Sequence, residues 1–144
     1  MQAPSFSAEA FAALPFMALL GVRREFSQGG RARLVVDMRP ELLNPTDSMH
    51  GGVVATLVDV VMASAAVSRV DFLQTAVTLN LNTSYLQPGH GRLTADGEVL
   101  SVDDDGAVVQ CQACVTDSQG RVVARSVGSF RYLDFRAPVG APNL

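Results

Sequence analysis

The chain has 144 residues, 48% of them hydrophobic, with 11 Lys and Arg against 14 Asp and Glu for a formal charge of −3. That composition suits a single globular domain over residues 1–144, and a mildly acidic chain lacks the basic surface that nucleic acid or an anionic membrane requires. The start, M-Q-A-P-S-F, has no basic region ahead of an apolar stretch, and the longest apolar run is interrupted by Asp59, Ser64 and Ser68, so the expectation is a cytoplasmic protein with no membrane partner.

Residues 7–13, S-A-E-A-F-A-A, offer Ser7 as an N-cap and an acid in the first turn, and Pro15 ends the pattern; a short helix is expected. G-V-R-R-E-F-S and A-R-L-V-V-D-M then flank Q-G-G-R, whose paired glycines suit a tight hairpin reversal. An irregular connection follows between Pro40 and Pro45. From Gly52 to about Val67 a helix is expected: no glycine or proline follows Gly52, and bulky residues at 54, 57, 58 and 61, continued by Ala65, repeat at the spacing of one helix face. Four strands follow, in Q-T-A-V-T-L-N-L-N-T-S-Y-L, R-L-T-A-D-G-E-V-L-S-V, A-V-V-Q-C-Q-A-C-V-T and V-V-A-R-S-V-G-S-F-R-Y-L, separated by Q-P-G-H-G, D-D-D-G and D-S-Q-G. The order α-β-β-α-β-β-β-β predicts an α+β fold, an antiparallel sheet against one long helix, with a frayed tail at 136–144.

The chemistry gathers on the central helix. Asp59 lies nearly opposite the bulky stripe, among Ala55, Ala63 and Ala66. A carboxylate in such a setting is costly unless it is paired or used, although solvent or a structural hydrogen bond would also account for it. Upstream, His50-Gly51-Gly52 falls where the helix starts, and glycines there either make a tight turn or leave backbone N–H groups open to a ligand at the positive end of the helix dipole.

Taken together, N-P-x-x-x-x-H-G-G-x-x-A-T-L-x-D resembles the helix-start signature of the hotdog-fold acyl-CoA thioesterases of the phenylacetate-pathway, PaaI-like group. Asn44 stands six residues before His50 (50 − 44 = 6) and Asp59 nine after it (59 − 50 = 9). The likeness runs from about residue 15 to about 135 and includes N-x-N-T-S-Y-L-Q-P after the helix. It implies a sheet wrapped around the central helix and a hydrolase without a cofactor or metal. It further implies Asp59 as general base or nucleophile, and the Gly51 N–H, helped by the Asn44 side chain, as oxyanion donor. His50 would shape the loop and contact the thioester, and Thr78 would stand near the attacking water. Gly52, with Asn44 and His50, would contribute to substrate binding. Strict alternation places Thr78 with Asn80 and Asn82 on the polar face of its strand, away from Val77, Leu79 and Leu81.

Helix geometry adds a constraint. Gly51 and Asp59 are eight residues apart (59 − 51 = 8), which at a 1.5 Å rise is about 12 Å, too far for both to reach one thioester carbon. A two-fold partner with an antiparallel helix would bring one copy's Gly51 to the other's Asp59, so a homodimer is expected, and from the resemblance a homotetramer of two dimers. The alternative is a non-catalytic acyl-CoA-binding or effector-sensing module on the same fold. Cys111 and Cys114, in C-x-x-C, lie in a strand where residues three apart face opposite ways, which argues against a zinc or redox site. His90 reads as an exposed turn histidine and Asp103 to Asp105 as a solvated hairpin tip. Arg69 and Arg92 are either solvated surface charges or cationic candidates for the coenzyme A phosphates.

Overall fold

A computed structural model describes residues 7–135. The tail expected to fray at 136–144 lies outside the described residues. Ser7 caps α1 (Ala8–Ala12) by accepting the Ala10 N–H at 3.1 Å. Pro15 then opens a second helix instead of ending the region: α2 (Pro15–Leu20) uses it at the first helical position, where a missing N–H loses nothing, and ends on Gly21 in the left-handed conformation. Hairpin β1 (Arg23–Gln28) and β2 (Arg31–Val36) follows as expected, with Gly29 and Gly30 both at positive φ in its turn. The connection holds a single 3-10 turn at Pro40–Leu42.

The central helix α3 (Gly51–Arg69) extends slightly beyond both expected ends. It is followed by β3 (Gln74–Tyr85), β4 (Leu93–Val102), β5 (Val108–Thr116) and β6 (Val122–Asp134). Among the described residues, the six strands form one antiparallel sheet in the order β1-β2-β4-β5-β6-β3, wrapped around α3. Val54, Leu57, Val58, Val61 and Ala65, the expected stripe, are at most 1% exposed and pack against Leu34, Leu93, Val109, Val115 and Phe130. By length and composition α3 is apolar enough to cross a membrane, so its three polar interruptions do not exclude a span on their own; here the sheet covers it.

Two features set how close the helix sits. At Gly97 of β4 a Cβ would come within 2.8 Å of the Val61 carbonyl oxygen, so the helix rests against bare sheet backbone there. At the far end, the Ser68 hydroxyl donates to the Ala65 carbonyl and accepts the Gly30 N–H at 3.0 Å, while Tyr132 Oη donates to the Ala66 carbonyl at 2.7 Å. Tyr132 of β6 thereby satisfies a carbonyl that the last turn of the helix leaves open, and the Ser68 side chain ties the hairpin turn to the helix end.

Strand β3 departs from strict alternation. Thr78 pairs with Phe130 but Asn80 with Ser129, so a β-bulge inserts Leu79 as an extra residue. Thr78 bonds to α3, and Leu81, three positions on, packs into the core against the same helix. The expected grouping of Thr78 with Asn80 and Asn82 is therefore wrong, because the bulge resets the alternation between them. On β5 no bulge intervenes between the cysteines: Cys111 is fully buried, and Cys114 lies on the opposite face. Burial pushes the Cys111 thiol up to about 12.

Candidate functional site

The loop before α3 is built by Asn44. Its Oδ1 accepts from Thr46 N, Thr46 Oγ1 and Ser48 N at 3.0, 2.9 and 3.1 Å, and its Nδ2 donates to Ser48 Oγ at 2.8 Å. Asn and Asp side chains mimic a backbone turn in this way, and here the turn hands the chain to His50. His50 is the N-cap: its Nδ1 accepts the Gly52 N–H at 2.8 Å. That bond requires an unprotonated Nδ1, which in the neutral ring leaves the proton on Nε2.

The first-turn N–H groups can then be assigned. Val53 and Val54 donate to the His50 carbonyl, and Gly52 to the His50 ring. Gly52 is thus committed to the cap, not open to a substrate. Gly51 N–H has no acceptor among the described residues, and it sits at the positive end of a 19-residue helix. Tyr85, at the end of β3, closes over this turn. Its hydroxyl donates to the Gly51 carbonyl at 3.3 Å, and its ring edge would stand 3.6 Å from a Cβ at position 51. Alternation in β3 gives no hint of that contact.

Asp59 and Thr78 form a second cluster farther along α3. Thr78 Oγ1 donates to Asp59 Oδ1 at 2.7 Å, a short charge-assisted bond that fixes the carboxylate. In the single chain Asp59 is half-buried. Its face of the helix opens into a groove of about 440 Å³, which Val60, Ala63 and Val67 line along with Asp59 and Thr78. Gly51, Asn44 and His50 do not reach that groove.

Three groups on the groove escape sequence reasoning. Arg24 of β1 has its guanidinium carbon 5.1 Å from the Phe11 ring centroid and 5.5 Å from that of Phe72. Burial holds the Arg24 guanidinium below its usual value. Phe72 follows Asp71 in a consecutive left-handed pair, at φ of 59° and 51°. This conformation costs L-residues roughly 1–2 kcal/mol each and recurs at ligand clamps. Two successive non-glycine residues at positive φ cannot be foreseen from D-F-L. Arg92, by contrast, is engaged elsewhere, donating from Nε at 2.7 Å to Asp37, which Arg23 also contacts at 3.0 Å. These pairs hold the Asp37 carboxyl below the usual carboxylate range.

A sequence profile of the thioesterase superfamily matches residues 47–124, from the loop before α3 to the start of β6. The chain belongs to the thioesterase superfamily. A protein of Halobacterium salinarum named as a candidate esterase is 33% identical over 124 residues, covering 80% of this chain and 82% of its own. A conserved protein of Pseudomonas aeruginosa shares the fold with a TM-score of 0.80 at 26% identity, over 88% of this chain and 100% of that one. The Escherichia coli PaaI protein, from the phenylacetic acid degradation operon, superposes with a TM-score of 0.77 over 87% of this chain and 88% of its own. At 22% identity that likeness concerns the fold alone, and it is the hotdog fold. Within the superfamily, the matched span of this chain contains His50, Gly51, Asp59 and Thr78 and excludes Asn44 and Arg24.

Proposed function

We propose that this thioesterase-superfamily protein hydrolyses acyl-CoA thioesters at a site shared between two copies of the chain. The observation that carries this reading is the 2.7 Å bond from Thr78 to Asp59 beside an apolar-lined groove: it holds one carboxylate oxygen and leaves the other to face a water. As general base, Asp59 takes a proton from that water while its oxygen attacks the thioester carbon. The tetrahedral oxyanion accepts a hydrogen bond from the Gly51 N–H of the other copy. It then collapses, breaking the C–S bond, and the leaving coenzyme A thiolate recovers the proton held by Asp59. His50 and Asn44 act by aiming that N–H through the cap and the turn.

Support for a two-copy site comes from the distance along the helix and from the sheet edge. Gly51 and Asp59 are about 12 Å apart by helix rise, and β3, the outermost strand on its side, is 12 residues long. Val77 and Leu79 on it are 41% and 54% exposed. A long edge strand with exposed apolar side chains invites pairing, and two-fold pairing through β3 would extend the sheet and set the two α3 helices side by side.

The test is thiol release from a panel of acyl-CoA esters by wild type, by Asp59→Asn, by Asn44→Ala, and by the two variants unfolded together and refolded. Asp59→Asn should lose at least about 100-fold in turnover while folding normally. If both single variants are nearly inactive, random reassembly makes about half the dimers mixed, and one site of each pairs an intact Asn44 with an intact Asp59, so roughly a quarter of sites recover. A well-folded Asp59→Asn with near-normal activity refutes the catalytic assignment. Mixed dimers confirmed by mass without recovered activity would mean the site lies within one chain. The same mass measurement reads whether two dimers associate into a tetramer.

A further inference from the structure

We propose that the Phe72 ring ends the groove beside Asp59 and so limits the acyl group to straight chains of about ten carbons. The inference rests on the acyl-CoA reading above and names its substrate class. The length of the groove can be read along two walls. On α3, Asp59 and Val67 both line it, and they are eight residues apart (67 − 59 = 8), about 12 Å of helix rise. On β3, Thr78 meets Asp59, and Gln74, four residues back (78 − 74 = 4), lines the far part, about 13 Å of extended strand. Phe72 is fixed at that far end, where its N–H donates to the Val67 carbonyl at 2.9 Å. A zigzag of tetrahedral carbons joined by bonds of about 1.5 Å advances about 1.25 Å per carbon, so a thioester carbon beside Asp59 leaves room for about ten carbons before the ring.

Between its two ends the groove is lined by Val60, Ala63 and Val77, a surface that suits methylenes better than the phosphates of coenzyme A. At the far end the Gln74 amide is already engaged, donating to Asp134 at 2.9 Å. The Phe72 ring is seated on the guanidinium of Arg24, 5.5 Å from its central carbon, and Phe11 of α1 lies 5.1 Å from the same carbon. Arg24 serves here through the flat surface on which the ring rests. Asp71 and Phe72 hold φ at 51° and 59° to bring the ring there. A ring sunk in the core could offset such strain by its burial, but Phe72 is only half-buried. A task at the groove, stopping the chain, therefore accounts for the strained turn better than packing does.

Thiol release from butanoyl-, decanoyl- and tetradecanoyl-CoA reads the limit, each ester being kept below the concentration at which it forms micelles. Wild type should hydrolyse tetradecanoyl-CoA at least about tenfold less efficiently in kcat/KM than decanoyl-CoA, since surplus methylenes that a pocket cannot hold cost about that much or more. Phe72→Ala should raise the ratio of tetradecanoyl- to decanoyl-CoA efficiency by about tenfold. Ala63→Leu obstructs the groove nearer the reaction, four residues from Asp59 (63 − 59 = 4), and leaves the strained turn alone. At about 6 Å of helix rise it should lower the ratio of decanoyl- to butanoyl-CoA efficiency by about tenfold. Thermal melts confirm that each variant folds. A wild type equally efficient on decanoyl- and tetradecanoyl-CoA overturns this inference and leaves the thioesterase reading standing. So does a folded Phe72→Ala protein in which all three esters fall together, the result expected of a purely structural ring. If Phe72→Ala fails to fold, an unchanged decanoyl-to-butanoyl ratio in Ala63→Leu overturns the inference instead. A wild type that hydrolyses none of these esters, nor any other acyl-CoA, overturns both readings.

Discussion

Replacing Thr78 by Val tests the site at the bond that joins helix to sheet beside Asp59. The substitution keeps the branched shape that suits a strand and removes only the hydroxyl that donates to Asp59 Oδ1 at 2.7 Å. Hydrogen bonds to a charged group contribute about 1.5–3 kcal/mol. Asp59 is half-buried and Thr78 is exposed in the single chain, which favours the lower end of that range. If the bond serves to hold the carboxylate for proton transfer, losing about 1.5 kcal/mol corresponds to roughly a tenfold fall in rate. The fall should appear in kcat, with KM changed far less, because the bond orients the base and does not grip the substrate. Thr78→Ser restores the donor and should recover most of the rate, which a purely structural threonine would not require. The assay is thiol release with initial rates over a range of acyl-CoA concentration, with a melting curve for each variant. Activity of Thr78→Val within about twofold of wild type, or a serine variant as poor as the valine one, would refute the positioning role assigned to Thr78.

Two further outcomes follow from buried titratable groups. Asp117, whose side chain is fully buried, receives Arg121 Nη2 at 2.8 Å and the backbone N–H groups of Gln119 and Arg121 at 3.0 and 3.1 Å. Burial by itself would raise its carboxyl, but the Arg121 and backbone bonds outweigh it and hold the group below its usual value. A depressed folded-state value stabilises the fold above the unfolded value, near 3.9, and that stabilisation is lost as pH falls through the folded one. The melting temperature of Asp117→Asn should therefore lie below that of wild type at neutral pH, with the gap closing in acid; a gap that is constant with pH would contradict this. On β5, a thiol-alkylating reagent at mildly alkaline pH should label Cys114 well before Cys111, read by peptide mass, because burial keeps Cys111 protonated with its value near 12. Equal labelling in the folded protein would show that Cys111 is not sealed in the core.

Much of the fold was legible because its signals are periodic or punctuated. Val54, Leu57, Val58 and Val61 mark a helix face that the structure buries completely, and Gly29-Gly30 marks a hairpin because few other residues accept positive φ twice running. Pro15 misleads for an equally physical reason: the residue that stops one helix is also among the best to start another, and what decides is whether the chain beyond it finds a surface, as Met17 does. For the candidate site, spacing singled out His50, Gly51 and Asp59, but it could not apportion the first-turn donors. The His50 ring takes the Gly52 N–H, leaving Gly51 as the helix-start donor without an acceptor among the described residues, and this distinction lies in a side-chain rotamer and not in H-G-G itself. The same limit applies with more force where structure breaks its own period. A one-residue bulge at Leu79 turns Thr78 toward the helix, and a left-handed pair at Asp71 and Phe72 swings a ring onto Arg24. Each departure costs the fold something locally and each delivers a side chain to the same groove, which is the pattern expected where a protein sustains strain for the sake of binding. Asp59 reaches the groove from a regular helix, whereas Thr78 and Phe72 reach it where periodicity fails, and these two, with Arg24, are residues that a pattern-based reading of the chain ranks lowest or passes over.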